Sequence, residues 1–139
     1  MTTPADGLVA FFESLTPHSL ERLGAFYAED ARFKDPFNDV RGVDAIRRIL
    51  AHMFIQLDAP RFIVTGCFES RAEWVLVWTM RWDAGGAEGC IEGVSHLSLD
   101  EDGRVIEHRD YWDPAETLYD RVPVLGGLLR CIKRRIASP

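Results

Sequence analysis

Phe26-Tyr27-Ala28-Glu29-Asp30-Ala31-Arg32-Phe33-Lys34-Asp35-Pro36-Phe37 is the stretch in which the hydrophobic period of this chain changes. Ahead of the change, Leu20, Leu23 and Tyr27 recur at helical spacing. Thr16 can cap that helix with Pro17 in its first turn, and its end is expected near Glu29. From Ala31 onward the period is two. Ala31, Phe33, Asp35 and Phe37 point one way, while Arg32 and Lys34 point the other, which predicts a half-buried strand with one acid among its apolar positions. Pro36 holds Asp35 extended and stops the strand.

Upstream, Leu8, Phe12 and Leu15 share one face of a first helix expected over Asp6–Leu15. Downstream, Gly42 leads into a third helix, Val43–Phe54, with Ile46, Ile49, Leu50 and Met53 as its stripe. Pro60 is expected to end the connection that follows. Four strands are predicted at about 61–69, 72–82, 90–99 and 104–112. Gly85-Gly86 separates the second from the third, and Asp100-Glu101-Asp102-Gly103 is a tight hairpin turn between the last two. Trp74, Leu76, Trp78, Met80 and Trp82 lie on one face of the second of these strands. Val75, Val77 and Thr79 lie on the other, so both faces read as covered. Helix resumes after Pro114. From Pro123 a basic amphipathic helix carries Leu125, Leu128, Leu129, Ile132 and Ile136, with Arg130, Lys133, Arg134 and Arg135 on the remaining surface.

Three helices, one strand among them and an antiparallel meander after them make an α+β layout in a single domain over 1–139. A strongly curved sheet wrapped on the helices would leave a cone open at one end. Hydrophobic residues at 47% and charged residues at 27% fit a globular chain. A net charge of −6 argues against nucleic acid as a partner. The start has no basic region followed by an apolar one, and no apolar run nears membrane-spanning length, so a cytoplasmic protein is expected. Cys67, Cys90 and Cys131 are too widely spaced for a zinc site and read as reduced thiols.

The chemistry rests on acids at apolar positions. Asp35, desolvated on its strand face, suits a general base; equally, it can cap the Asn38–Gly42 turn. On the last strand Ile106, His108, Asp110 and Trp112 are expected on one face, with Val105, Glu107, Arg109 and Tyr111 on the other. His108 and Asp110, two residues apart, form a plausible acid/base pair, or a core histidine satisfied by its neighbour. If Leu99 lies opposite Arg104, Ser95 pairs with His108 and Gly93 with Asp110. A slip of one residue would bring His96 inward instead.

The segment Phe26–Phe37, Gly42 before a helix, the Asp100-Glu101-Asp102-Gly103-Arg104-Val105 turn and the closing Asp110-Tyr111-Trp112 resemble the ketosteroid isomerase-like superfamily over about residues 5–118. The resemblance implies the cone-shaped NTF2-like, or cystatin-like, fold: a curved, mostly antiparallel mixed sheet on three N-terminal helices, with a C-terminal helix added. In ketosteroid isomerases the Asp of Asp-Pro-Phe is the proton-shuttling base, and Asp35 matches it. Trp112 matches the pocket aromatic. The oxyanion hole does not carry over, because its tyrosine falls on Phe11, which cannot donate, and its protonated acid on Ser95. Losing one such donor costs on the order of 10²–10³ in rate. The tail is more similar to the SnoaL-like polyketide cyclase branch, where an aspartate on the last strand is the acid/base. Asp110 matches that position, with His96 or His108 in support. Arg109-Asp110-Tyr111 is similar to the last strand of limonene epoxide hydrolases, but their preceding Arg-x-Asp has no counterpart in Ile91–Ser95.

Two functions are therefore expected as alternatives. One is a cofactor-free, metal-free isomerase or cyclase moving a proton next to a carbonyl. Asp110 would be its acid/base, His108 the partner and Asp35 a second carboxylate. Phe11, Phe33, Phe37, Ile49 and Met53 would line a pocket for an apolar small molecule, with Ser95 on its wall and Trp74, Trp78 and Trp112 as stacking surface. The other is a non-catalytic binding or association module. A homodimer through the outer sheet face is implied by the resemblance. The C-terminal helix is expected to pack on its own domain, with a partner groove or a membrane surface as the other destinations.

Overall fold

The computed structural model describes residues 3–117 and 123–137. Its elements are α1 (Pro4–Glu13), a 3-10 turn (Ser19–Arg22), α2 (Leu23–Phe26), β1 (Tyr27–Lys34), β2 (Asp39–Arg41), α3 (Val43–Gln56), β3 (Asp58–Ser70), β4 (Glu73–Ala84), β5 (Ala87–Leu99), β6 (Val105–Trp112), α4 (Pro114–Thr117) and α5 (Pro123–Ile136). Six strands form one sheet in the order β2-β1-β6-β5-β4-β3. Every neighbouring pair is antiparallel except β1 with β6, which run parallel. This is the α+β layout that the alternation of periods predicts and the mixed sheet that the resemblance implies, with the N-terminal helices against it.

Local chemistry explains most boundaries. Pro4 opens α1, and the Asp6 carboxylate accepts the Thr3 N–H at 2.8 Å. The helix expected from Thr16 to Glu29 is shorter and split. Thr16 and Ser19 exchange side-chain to backbone hydrogen bonds of 2.9 and 3.1 Å, tightening a turn. The chain is already extended at Tyr27. Gly42 stands at φ +101°, where an L side chain is strained, and its carbonyl accepts the first α3 hydrogen bond from Ile46. Pro60 does not end the connection. It sits inside β3, at the edge of the sheet, where the pairing with β4 slips between Asp58 and Arg61; a missing N–H is tolerated at such a bulge. The short strand β2 was not predicted. The Arg32–Asp39 ion pair, 2.8 Å, braces its pairing with β1 and holds the Asp39 carboxyl below its ordinary range.

The hairpin between β5 and β6 corrects the expected register. Asp100 Oδ1 accepts the N–H groups of Asp102 and Arg104, each at 2.9 Å, and Gly103 supplies a φ of +79°. Leu99 then faces Val105, and a bulge at Ile106 brings Ser98 opposite Glu107, Leu97 opposite His108 and Ser95 opposite Asp110. Relative to the expected pairing the strand has moved by two residues. Because the side-chain period is two, Ser95 still faces inward (5% exposed) and His96 outward, where it meets Glu73 at 3.0 Å. The bulge also reverses one expected orientation: Val105 is buried and Ile106 is 42% exposed.

The core gathers Leu8 and Phe11 from α1, Leu20, Leu23, Tyr27, Ala31 and Phe33, then Ile46 and Leu50 from α3, and the alternating face of β4. Trp74, Leu76, Trp78, Met80 and Trp82 are all buried, as the alternation predicts. Two glycines of β5 make that face fit. A Cβ at Gly93 would stand 2.5 Å from the Trp78 ring, and one at Gly89 would stand 2.1 Å from Trp82. Each indole therefore lies across its neighbour strand at the residue it pairs with. In α5, Val124, Leu128, Ile132 and Ile136 are 44–87% exposed. Residues 118–122 and the Leu125 side chain of the expected stripe lie outside the described residues. None of the described helices is long and apolar enough to cross a membrane.

Candidate functional site

A cavity of about 570 Å³ opens between α3 and the inner sheet face. Its walls include Phe33 of β1, Ile49 and Met53 of α3, Trp78 and Met80 of β4, and Trp112 of β6. Phe37 and Asn38 line it from the loop after β1, and Phe37 meets Trp112 edge-on at 5.5 Å. A smaller chamber of about 30 Å³, room for a water or two, is lined by Phe12, Tyr27, Leu76, Ser95 and His108. Phe33, Leu50, Phe62, Trp78 and Asp110 line both.

Asp110 stands where the chambers meet, and a chain of hydrogen bonds ends on it. Tyr27, 1% exposed, has its hydroxyl 2.6 Å from His108 Nδ1. His108, 4% exposed, places Nε2 at 2.6 Å from Asp110 Oδ1. From the other side, Trp78 Nε1 donates to Ser95 Oγ at 2.8 Å, and Ser95 donates in turn to the same Oδ1. Burial pushes the Tyr27 phenol well above its ordinary pKa of 10.0, and the Asp110 charge pushes it the same way. The hydroxyl therefore keeps its proton, and where the imidazole gives its Nε2–H to the Asp110 carboxylate, Nδ1 accepts from Tyr27. Oδ1 thus receives two donors, whereas Oδ2 receives none from any described residue. Phe12 and Phe33 close the histidine off, with ring centroids 5.9 and 4.8 Å from it.

Asp35 lines the large cavity too, so the chain's two inward acids reach one wall. Its oxygens are occupied. Oδ1 accepts the N–H groups of Phe37 (2.8 Å) and Asn38 (2.7 Å), and the Asn38 amide donates to both oxygens at 3.0 and 3.2 Å. The Asp35 N–H returns a bond to the Asn38 carbonyl at 2.9 Å. The carboxylate holds the loop that carries Phe37.

Two expected wall residues are elsewhere. Phe11 is 2% exposed and stacks on Phe26 at 4.4 Å, on the core side of α1. Trp74 is buried two positions before Leu76 on β4, beyond both chambers. The spacing of Leu20, Leu23 and Tyr27 predicts an apolar helix position for Tyr27, whereas the structure places it at the start of β1 with its hydroxyl on His108. Parity along the strand carries no signal for it, because the pairing with β6 is irregular between Tyr27 and Arg32 and Glu29, of the same parity, is exposed. Arg48, His52 and Gln56 also line the cavity. They recur every four residues, which puts them on one ridge of α3 beside its apolar stripe.

A cone of this topology, with a polar cluster at its inner end, defines the NTF2-like class of folds. The sequence profile of the SnoaL-like domain matches residues 8–108, and the chain belongs to that family. The match ends two residues before Asp110. Among solved structures the fold is similar to a protein of Shewanella putrefaciens CN-32 provisionally named a SnoaL-like polyketide cyclase, at TM-score 0.71 and 22% identity over 89% of this chain and 88% of that one. It is similar as well to a protein of ketosteroid isomerase-like fold from Catenulispora acidiphila, crystallised with trimethylamine, at 0.70 and 13% over 85% and 91%. An LEH-like epoxide hydrolase of M. tuberculosis matches at 0.65 and 15% over 97% and 94%. No protein of curated function matches the chain significantly.

Proposed function

We propose that this protein is a cofactor-free acid–base catalyst of isomerase or cyclase type, moving a proton at carbon next to a carbonyl in an apolar small molecule. One observation carries the reading: a carboxylate where the two chambers meet has one oxygen held by two donors and the other free of any described donor. In this reading Asp110 Oδ2 takes the proton from carbon, the C–H electron pair moves into the carbonyl as an enolate, and the same oxygen returns the proton to carbon or oxygen. His108 and Ser95 orient the carboxylate and do not leave it. Asp35 is a second carboxylate on the wall that holds the Phe37 loop.

The N–H groups beside Asp110 are already committed, Trp78 to Ser95 and His108 to Asp110. Little is left there to stabilise an oxyanion, which favours carbon acids flanked by two carbonyls, whose enolates need less help. Benzoylacetone is a direct probe, because its keto–enol interconversion is followed by absorbance. The protein should accelerate it without additives, and Asp110→Asn should lower the catalysed rate by about 10²-fold or more. If benzoylacetone binds and interconverts no faster than in buffer, the same committed donors favour the second reading, a ligand-binding module without catalysis.

A further inference from the structure

We infer that the cavity recognises apolar molecules carrying an anionic group, a carboxylate in the simplest case, with Arg48 binding that group at the rim while the apolar body lies against Trp78 and Trp112. The inference rests on the reading of this cavity as a small-molecule site and adds the substrate class.

The charges on the wall carry it. Of the two acids, Asp35 has both oxygens engaged by Asn38 and Oδ1 also by Phe37, and Asp110 is held by His108 and Ser95. Arg48 lines the same cavity from α3, is exposed, and makes no hydrogen bond or ion pair with any described residue. Its neighbour Arg47 shows the contrast, because it is tied to Asp44 at 2.5 Å and to the Leu20 carbonyl at 3.2 Å and does not line the cavity. His52 follows Arg48 one turn later and also faces the cavity. The site is therefore polarised. Its inner end holds a carboxylate with one oxygen already accepting two hydrogen bonds, its rim holds a guanidinium uncommitted among the described residues, and apolar wall lies between. A guanidinium fork matches a carboxylate with two parallel N–H···O bonds, and a ligand bound that way turns its uncharged end toward Asp110.

The test uses a matched pair of probes, 2-naphthylacetate and 2-naphthylacetamide, titrated calorimetrically into the full chain. The acetate should bind about tenfold tighter than the amide, as a charge-assisted contact at a partly hydrated rim allows. Arg48→Gln should erase that preference and leave amide affinity within about twofold, a change no larger than a lost surface contact makes. Equal affinities in the unaltered protein, or an Arg48→Gln loss shared equally by both probes, would overturn the inference alone. Failure of both probes to bind would overturn it together with the reading of the cavity as a ligand site.

Discussion

At the scale of single residues, Tyr27 is the informative one, because it carries a proton that it cannot easily give up. Its pKa is raised by burial first and by Asp110 second. Below the ordinary tyrosine value the folded and unfolded chains both hold the proton, and the contribution to stability is complete. Above about pH 10 the unfolded chain releases it and the folded chain does not, so stability falls as pH rises, by up to about 1.4 kcal/mol per pH unit for this one proton. Urea unfolding between pH 9 and 11 should show that decline, and Tyr27→Phe should make it shallower by one proton. At pH 7 the same substitution leaves His108 Nδ1 without its donor and should cost about 1–3 kcal/mol, read from the urea midpoint. An unchanged alkaline slope would mean that Tyr27 is not the group responsible.

At the scale of elements, β5 and β6 set the site by pairing. Gly93→Ala puts a methyl group into the Trp78 ring, which is 6% exposed and must shift against its packed neighbours. We expect a loss of about 1–3 kcal/mol in stability, with a changed tryptophan emission as Trp78 leaves Ser95. A stable protein with unaltered emission would contradict that packing. The alternation of β4 is legible in the sequence because Trp74, Leu76, Trp78, Met80 and Trp82 recur at every second position and face one core. The same reading failed at Ile106, since a bulge is a pairing event between two strands and leaves no mark in the period of one. Leu20, Leu23 and Tyr27 satisfy a helical spacing, but α2 ends at Phe26 and Tyr27 is already extended. Asp35 was legible as an inward acid, but its engagement by Asn38 depends on how the loop closes.

At the scale of the whole molecule, the outer sheet face presents an apolar row among the described residues. Gly66, Val77, Val94 and Tyr111 stand side by side across four strands, and Phe68 one step away is 62% exposed. The dimer implied by the family would use this face. Sedimentation velocity at micromolar concentration should then give twice the 15.8 kDa of one chain, and Val94→Arg should give a monomer. A monomer without the substitution would rule this face out as a self-association surface. The α5 stripe, exposed among the described residues, lies beside four cations with no acid between residues 123 and 137.

Period and punctuation along the chain predict the α+β class, most strands, α3, an acid at Asp35 among apolar positions and one shared face for His108 and Asp110, whereas the choice between Ser95 and His96 as the inward residue waits on the hairpin register. The predicted features arise from burial and local backbone preference, which act on neighbours in sequence. Which oxygen of Asp110 is held, what His108 meets at each ring nitrogen and which cation on α3 lacks an ion pair among the described residues arise from contacts between residues up to 81 positions apart. Such contacts exist only after the sheet has closed around the helices, because their geometry is set by register and bulges that no single stretch of sequence encodes.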